Sequence, residues 1–227
     1  MSGAKRARPA AGFTLIELLV VLAIIVVITS IVLTNQSSFN KTLVLANTAY
    51  DIALTLRSAE TYGLGSRAVA GASNVGYGVD FQRATPGVPY AFTFFVDSYP
   101  PLGGSGPFCH PVTGTPSDRP GNCAYDANQQ ERVVDYTMNN GITVNDFCAY
   151  NTDTSSWSCA VAHGGGLSSL DIVFARPNPD EPFISVDGAY SSSLTSVCLS
   201  ITSSQGGTRS VMVTASGDIT TSAAACP

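Results

Sequence analysis

The sequence predicts an α+β protein in which a long N-terminal α-helix, with an apolar half and an amphipathic half, packs on an antiparallel β-sheet in a globular domain. Two observations predict this class. Residues 18–33 contain no charge, and no proline occurs from Phe13 to Thr85, so one helix can continue beyond the apolar run. From residue 73 onward, short β-branched and aromatic runs alternate with Gly and Pro, which is typical of strands and turns.

The composition is that of a folded chain, with 44% hydrophobic and only 12% charged residues among 227. The residues after Gly12 carry 8 Lys and Arg against 16 Asp and Glu. Contacts with phosphate groups require clustered positive charge, so this balance disfavours nucleic acid as a general partner.

The apolar segment from Phe13 to Leu33 is 21 residues long. At about 1.5 Å per residue it just spans a hydrocarbon core of roughly 30 Å. Lys5, Arg6 and Arg8 precede it, which predicts a cytoplasmic N-terminus and a translocated remainder. A cleaved secretory signal, a plain single-span anchor and a buried core helix are the alternatives. The segment is longer than a usual signal-peptide core, and no clear A-x-A site follows it.

Glu17 is the one charged residue of this segment, and ionisable residues in membrane spans are rare and usually paired. A carboxylate that reaches the interface from a helix end is the simplest interpretation. The surrounding sequence, Gly12-Phe13-Thr14-Leu15-Ile16-Glu17 behind a basic leader, resembles the class III signal of type IV pilins and pseudopilins. The resemblance implies cleavage between Gly12 and Phe13 and N-methylation of the new Phe13 amine.

The same resemblance implies a role for Glu17 in assembly, as the partner of the N-terminal amine of a neighbouring subunit. An amine and a carboxylate in apolar surroundings are each costly alone, so their pairing would reward the correct axial register. The resemblance divides the chain into a leader over 1–12, a transmembrane and filament-core helix over 13–34, an amphipathic helix over 35–64 and a disulfide-containing β-rich pseudopilin domain over 65–227.

The amphipathic helix is predicted from apolar residues at helical spacing, and Gly63 and Gly65 predict its end. The face predicted to pack on the sheet comprises Phe39, Leu43, Ala46, Tyr50, Ala53 or Leu54, the aliphatic stem of Arg57, and Leu64.

Strands are predicted in pairs along the globular region. They are a first pair over 75–81 and 90–98, a hairpin around Asn140-Gly141 within 131–150, a strand, turn and strand over 170–186, and a terminal hairpin around Gly206-Gly207 within 197–220. A loop with six prolines is predicted over 100–130. The C-terminal pattern resembles that of H-type pseudopilins of type II secretion and their FimT-like relatives.

Six cysteines follow the apolar segment, and none belongs to a CxxC pair, which disfavours zinc and thioredoxin-like sites. An even number in a translocated region predicts three disulfides, for which fifteen pairings are possible. Pairing of neighbours is the prediction, because each pair then brackets a loop or a hairpin. The candidate pairs are Cys109 with Cys123, Cys148 with Cys159, and Cys198 with Cys226.

The sequence predicts no catalytic, cofactor or metal site. His110 and His163 lie in Pro- or Gly-rich loops without further ligands at defined spacing. The Gly164-Gly165-Gly166 run lacks the GK[ST] ending of a phosphate loop, and no G-x-S-x-G motif is present. These observations predict that the chain is not an enzyme.

The resemblance implies a prepilin-like structural subunit, a minor pilin or pseudopilin, assembled into a type IV pilus or a type II secretion pseudopilus. Its implied partners are the prepilin peptidase and methyltransferase, other pilin or pseudopilin subunits, the inner-membrane assembly platform and membrane lipid. It would cross the inner membrane once, with its globular domain outside the cytoplasm, before it enters the filament. The alternative is a tip adhesin or a DNA-uptake (competence) minor pilin that binds a ligand through the 100–130 loop. A single-span membrane-anchored enzyme is a third interpretation.

Overall fold

The computed structural model describes residues 12–65, 74–83, 92–101, 109, 120–138, 141–176, 181–204 and 206–227, with the backbone alone over 34–41. The predicted leader, apart from Gly12, lies outside these ranges. Residues 102–108 and 110–119 of the predicted loop, which include His110, also lie outside the described residues. The chain divides into two compact units, Met1–Thr42 and Leu43–Pro227.

Helix α1 extends from Leu15 to Leu64, close to the range that the sequence predicts. Its last turn is closed by the Gly65 amide, which donates to the Thr61 carbonyl oxygen at 3.1 Å. The Arg176 guanidinium also donates to the Leu64 carbonyl oxygen through Nε at 2.8 Å. A cation that caps the last carbonyls satisfies acceptors that the helix itself leaves free and complements the negative end of the helix dipole.

The buried face of α1 differs from the predicted face. Leu43, Tyr50 and Leu54 were expected to pack on the sheet, but they are 45%, 58% and 60% exposed. The buried residues of the helix are Leu45, Ala49, Ile52, Ala53, Leu56 and Ala59, of which Ala53 belongs to the predicted face. The alanines among them let the sheets approach the helix closely. The predicted face is therefore confirmed at Ala53 and wrong at Leu43, Tyr50 and Leu54.

The globular unit contains eleven strands in the described part of the chain, arranged in two antiparallel sheets. The six-stranded sheet has the order β3-β2-β1-β6-β7-β8, and the five-stranded sheet has the order β11-β10-β9-β4-β5. Their bounds are β1 Gly76–Gln82, β2 Phe92–Asp97, β3 Arg132–Tyr136, β4 Ile142–Asn151, β5 Ser156–Cys159, β6 Ser169–Phe174, β7 Phe183–Val186, β8 Ala189–Tyr190, β9 Leu194–Ser203, β10 Thr208–Val213 and β11 Ile219–Ser222. The predicted α+β class is confirmed.

Three of the four predicted strand pairs are present. β1 pairs with β2, β6 pairs with β7, and β9 pairs with β10. The hairpin predicted around Asn140-Gly141 is wrong, because β3 pairs with β2 whereas β4 pairs with β9 in the other sheet. Strand β3 is an exposed edge, while β4 buries Phe147 and Ala149 in the centre of its sheet. Local turn chemistry therefore did not decide these partners.

A single hydrophobic core joins α1 to both sheets. Ile52 and Leu56 of the helix belong to the same buried cluster as Val79 and Ile172 of the first sheet and Leu199 of the second. A second, smaller cluster lies on the outer face of the six-stranded sheet, where Phe95 and Val173 pack against Cys109 and Cys123.

Three disulfides join cysteines that are neighbours in sequence. Cys109 is bonded to Cys123, Cys148 to Cys159 and Cys198 to Cys226, and the described part of the chain has no free cysteine. Cys148 and Cys159 are also directly opposite one another on β4 and β5.

Candidate functional site

Thr14 and Glu17 cap the N-terminal end of α1. The Glu17 amide donates to the Thr14 hydroxyl at 3.4 Å and to the Thr14 carbonyl oxygen at 3.1 Å. In return, Glu17 Oε2 lies 3.5 Å from both the amide and the hydroxyl of Thr14. This reciprocal arrangement is a capping box. The T-x-x-E spacing of Thr14 and Glu17 is a sequence signal for this cap that was not among the predictions.

Gly12 and Phe13, the residues of the predicted cleavage site, are exposed just before the helix. Phe13 is 80% exposed, and a Cβ placed on Gly12 would meet no atom within 4 Å. Neither residue is packed against other described parts of the chain. The Glu17 carboxylate, one helical turn further on, is exposed as well.

The segment Leu15–Leu33 is long and apolar enough to cross a membrane, with 19 residues and a mean hydropathy of 3.1. Its large apolar side chains are 47–83% exposed within the chain. The hydroxyls of Thr29 and Ser30 donate to the carbonyls of Ile25 and Val26 at 2.8 Å, so these polar groups are satisfied within the helix. Glu17 is the only ionisable side chain between Phe13 and Leu33.

Among the residues that the structure describes, two clusters in the globular unit have the donor types of a metal site. Asp97 lies with Cys109 and Cys123, and Asp146 lies with Cys148 and Cys159. All four cysteines are in disulfides, so none offers the thiolate that a metal requires. Asp146 instead accepts the amides of Val161 and Ala162, each at 2.9 Å.

His163 lies near the C-terminus of the chain in space. Its Nε2 is 2.9 Å from the Pro227 carbonyl oxygen, and its backbone has a φ of +51°. It belongs to neither of the two acid and cysteine clusters.

These features define a protein with an apolar N-terminal helix, one exposed carboxylate in its first turn, and a disulfide-bonded α+β domain. Residues 7–33 match the family model described as the prokaryotic N-terminal methylation motif. This motif is typical of the precursors of type IV pilins and pseudopilins. The resemblance of the GFTLIE sequence to their signal is therefore confirmed over this segment. Searches of curated proteins and of solved structures give no match. The likeness of the C-terminal region to H-type and FimT-like pseudopilins stays a prediction.

Proposed function

We propose that this chain is the precursor of a filament subunit, a minor pilin or pseudopilin of a type IV pilus or type II secretion pseudopilus. The match of residues 7–33 to the methylation motif carries the proposal. A prepilin peptidase would cleave between Gly12 and Phe13 and methylate the Phe13 amine. The chain would act as a structural subunit and not as an enzyme, held in the inner membrane until the assembly platform extracts it.

In the assembly step, Glu17 of one subunit would pair with the Phe13 amine of a neighbouring subunit. The contacts of Glu17 with Thr14 are long, at 3.5 Å, which supports a carboxylate that can turn to a better partner. The exposed apolar side chains of Leu15–Leu33 would be covered first by lipid and then by the helices of other subunits. Leu43, Tyr50 and Leu54 add apolar surface on α1 that is exposed within this chain.

The processing step is tested by the intact mass and the N-terminal peptide of the protein purified from membranes that contain an active prepilin peptidase. The expected product lacks residues 1–12 and begins at Phe13 with one added methyl group. Gly12→Val should block cleavage, whereas Gly65→Ala, at the other end of α1, should be processed normally. A wild-type chain that keeps its leader, while a control prepilin in the same membranes is cleaved, would contradict the proposal.

The assembly step is tested by the incorporation of Glu17→Gln into filaments, with Glu60→Gln on the same helix as the matched control. Both variants should be cleaved at Phe13. Loss of one partner of a desolvated ion pair costs about 3 kcal/mol, so Glu17→Gln should enter filaments about a hundredfold less than wild type. Glu60→Gln should enter at the wild-type level. Equal incorporation of the two variants would refute the role of Glu17 and leave the processing result unaffected.

A further inference from the structure

Three cysteines lie in one row across three adjacent strands of the five-stranded sheet. Cys148 of β4 is directly opposite Cys159 of β5 on one side and directly opposite Cys198 of β9 on the other. Cys148 is bonded to the first of these neighbours, whereas Cys198 is bonded to Cys226, which follows β11. Two native disulfides therefore lie side by side, and Cys148 and Cys198 are the members that meet.

The pairing of β4 with β9 places the side chains of Cys148 and Cys198 on the same face of the sheet. The register is continuous from Asp146 to Tyr150, so neither cysteine lies at a bulge. The adjacent residues Phe147 and Leu199, which are paired with one another, belong to the hydrophobic core. Because side chains alternate along a strand, both cysteines point to the opposite face.

The spacing of β4 and β9 suits a disulfide between these two residues. The Ala160 amide donates to the Phe147 carbonyl oxygen at 2.9 Å, so the backbone groups of Phe147 face β5. The backbone groups of the next residue, Cys148, therefore face β9, which makes Cys148 and Cys198 a hydrogen-bonded pair. The Cα atoms of such a pair are about 5.5 Å apart. Disulfides usually join Cα atoms about 4.4–6.8 Å apart, so the backbone already has the spacing that this bond requires.

Among the four cysteines of the two disulfides, Cys226 is the most accessible to an external thiol. It is half-buried, whereas Cys148, Cys159 and Cys198 are at most 2% exposed. Thiol–disulfide exchange proceeds by attack of a thiolate on a sulfur that it can reach. An attack on Cys226 releases the sulfur of Cys198, and the strand register holds this sulfur beside Cys148 of the second disulfide.

We propose that the two disulfides of the five-stranded sheet form one redox switch, in which two-electron reduction replaces both of them with a single Cys148–Cys198 bond. A thiolate of an external dithiol attacks Cys226 Sγ and expels the Cys198 thiolate. Cys198 then attacks Cys148 Sγ and expels the Cys159 thiolate, which takes up a proton. The second thiol of the dithiol resolves the mixed disulfide, and Cys226 leaves as a thiol. The dithiol thus loses two electrons and two protons, and Cys159 and Cys226 gain them.

The switch moves the covalent link from the edges of the sheet to its interior. In the order β11-β10-β9-β4-β5, the native disulfides fasten the edge strand β5 and the segment that follows the other edge strand, β11. The Cys148–Cys198 bond joins the inner strands β4 and β9 instead. Reduction therefore releases both edges together. Residues 223–227 then lose their covalent link and keep the contact between His163 Nε2 and the Pro227 carbonyl oxygen.

The first test places one unpaired sulfur beside the Cys198–Cys226 disulfide. In Cys159→Ser, prepared as the full chain in detergent micelles without reductant, the unpaired sulfur begins on Cys148. Exchange should move it to Cys226, because β4 and β9 are ordered in both isomers and only the C-terminal segment is freed. The sample is quenched in acid, unfolded, alkylated and digested, and the labelled cysteine is identified by mass spectrometry. Label on Cys226 should exceed label on Cys148 about tenfold, the gain expected from freeing the backbone of one residue.

The matched control is Cys109→Ser, which removes the disulfide partner of Cys123 in the six-stranded sheet. In the described part of the chain, the buried cluster around Cys123 contains no third cysteine. Label should therefore stay on Cys123. In the Cys159→Ser chain, label that stays on Cys148, or label that is spread over all five cysteines, would overturn the proposal.

The second test uses the wild-type chain and dithiothreitol, so it does not depend on the folding of a variant. Molecules that have gained two labels and keep the disulfide of the six-stranded sheet are digested. The expected labels are on Cys159 and Cys226, with a cross-linked peptide that joins Cys148 to Cys198. Labels on Cys198 and Cys226 together, or on Cys148 and Cys159 together, would show that the two disulfides are reduced independently and would overturn the proposal.

Discussion

Glu131, directly before β3, is held by contacts from which the size of a stability change can be worked out. Its side chain is fully buried, and its two oxygens accept three backbone amides, from Ser98 and Tyr99 at 2.7 Å and from Asp126 at 2.9 Å. Glu131→Ala leaves all three donors without this acceptor. Each lost bond costs about 1 kcal/mol, at the lower end of the range, because the donor residues are partly exposed and water can reach them. The expected loss is about 3 kcal/mol.

The pH dependence gives a sharper test with Glu131→Gln. Burial raises the pKa of Glu131 from 4.5 to about 7, despite the three amides that favour its charged form. The folded state therefore binds this proton more tightly than the unfolded state. Its stabilising effect is complete below pH 4.5 and is lost as the pH rises through 7, a decline of about 3 kcal/mol. Glutamine cannot ionise, so the variant lacks this decline.

The assay is urea unfolding of wild type, Glu131→Gln and Glu131→Ala across this range, with Glu181→Ala as an exposed control. At about pH 5, Glu131→Gln should be about 1 kcal/mol less stable than wild type, because it replaces one acceptor oxygen with a donor. At about pH 8.5 it should be about 2 kcal/mol more stable. Parallel pH profiles, or a loss of less than 1 kcal/mol in Glu131→Ala at pH 5, would refute the reasoning.

Gly121 has a φ of +109°, and a Cβ there would lie 2.5 Å from Asp97 Oδ2, whereas Gly164 has a φ of +91° and open space. Gly121→Ala should therefore lower the free energy of unfolding by about 1–3 kcal/mol more than Gly164→Ala, and equal losses would contradict the steric argument. Replacing Cys198 and Cys226 with Ser opens a loop of 28 residues and should cost about 3–4 kcal/mol in urea unfolding. The same change at Cys148 and Cys159, with a separation of 11, should cost less, and the reverse order would count against a chain-entropy origin.

Helix α1 and the local hairpins could be predicted from sequence because their signals lie within a few residues. The absence of proline fixes the continuity of α1, and Gly206-Gly207 marks the β9–β10 turn. The buried side of α1 could not be predicted in this way. Two apolar stripes run along the helix, one through Tyr50 and one through Ile52, and only the packing of both sheets selects the second.

The partners of β3 and β4 depend on pairings between distant segments, so the turn signal between them was misleading. The N-terminal motif is linear and could be read directly from the sequence. The position of Asp80 opposite Asp171 could not be predicted, because these two residues meet only through the register of β1 with β6. The sequence does show that both aspartates are unusual, since each is a single acid inside an otherwise apolar run.

The Cys198–Cys226 disulfide also decides where mechanical tension applied at the C-terminus would enter the fold. Cys226 precedes the last residue of this chain and is bonded to the middle of β9, the central strand of the order β11-β10-β9-β4-β5. Without the bond, a pull on Pro227 would unzip the edge strand β11 one hydrogen bond at a time. With the bond, the same pull acts on a strand that has neighbours on both sides, so two ladders must shear together and the force needed for rupture is higher.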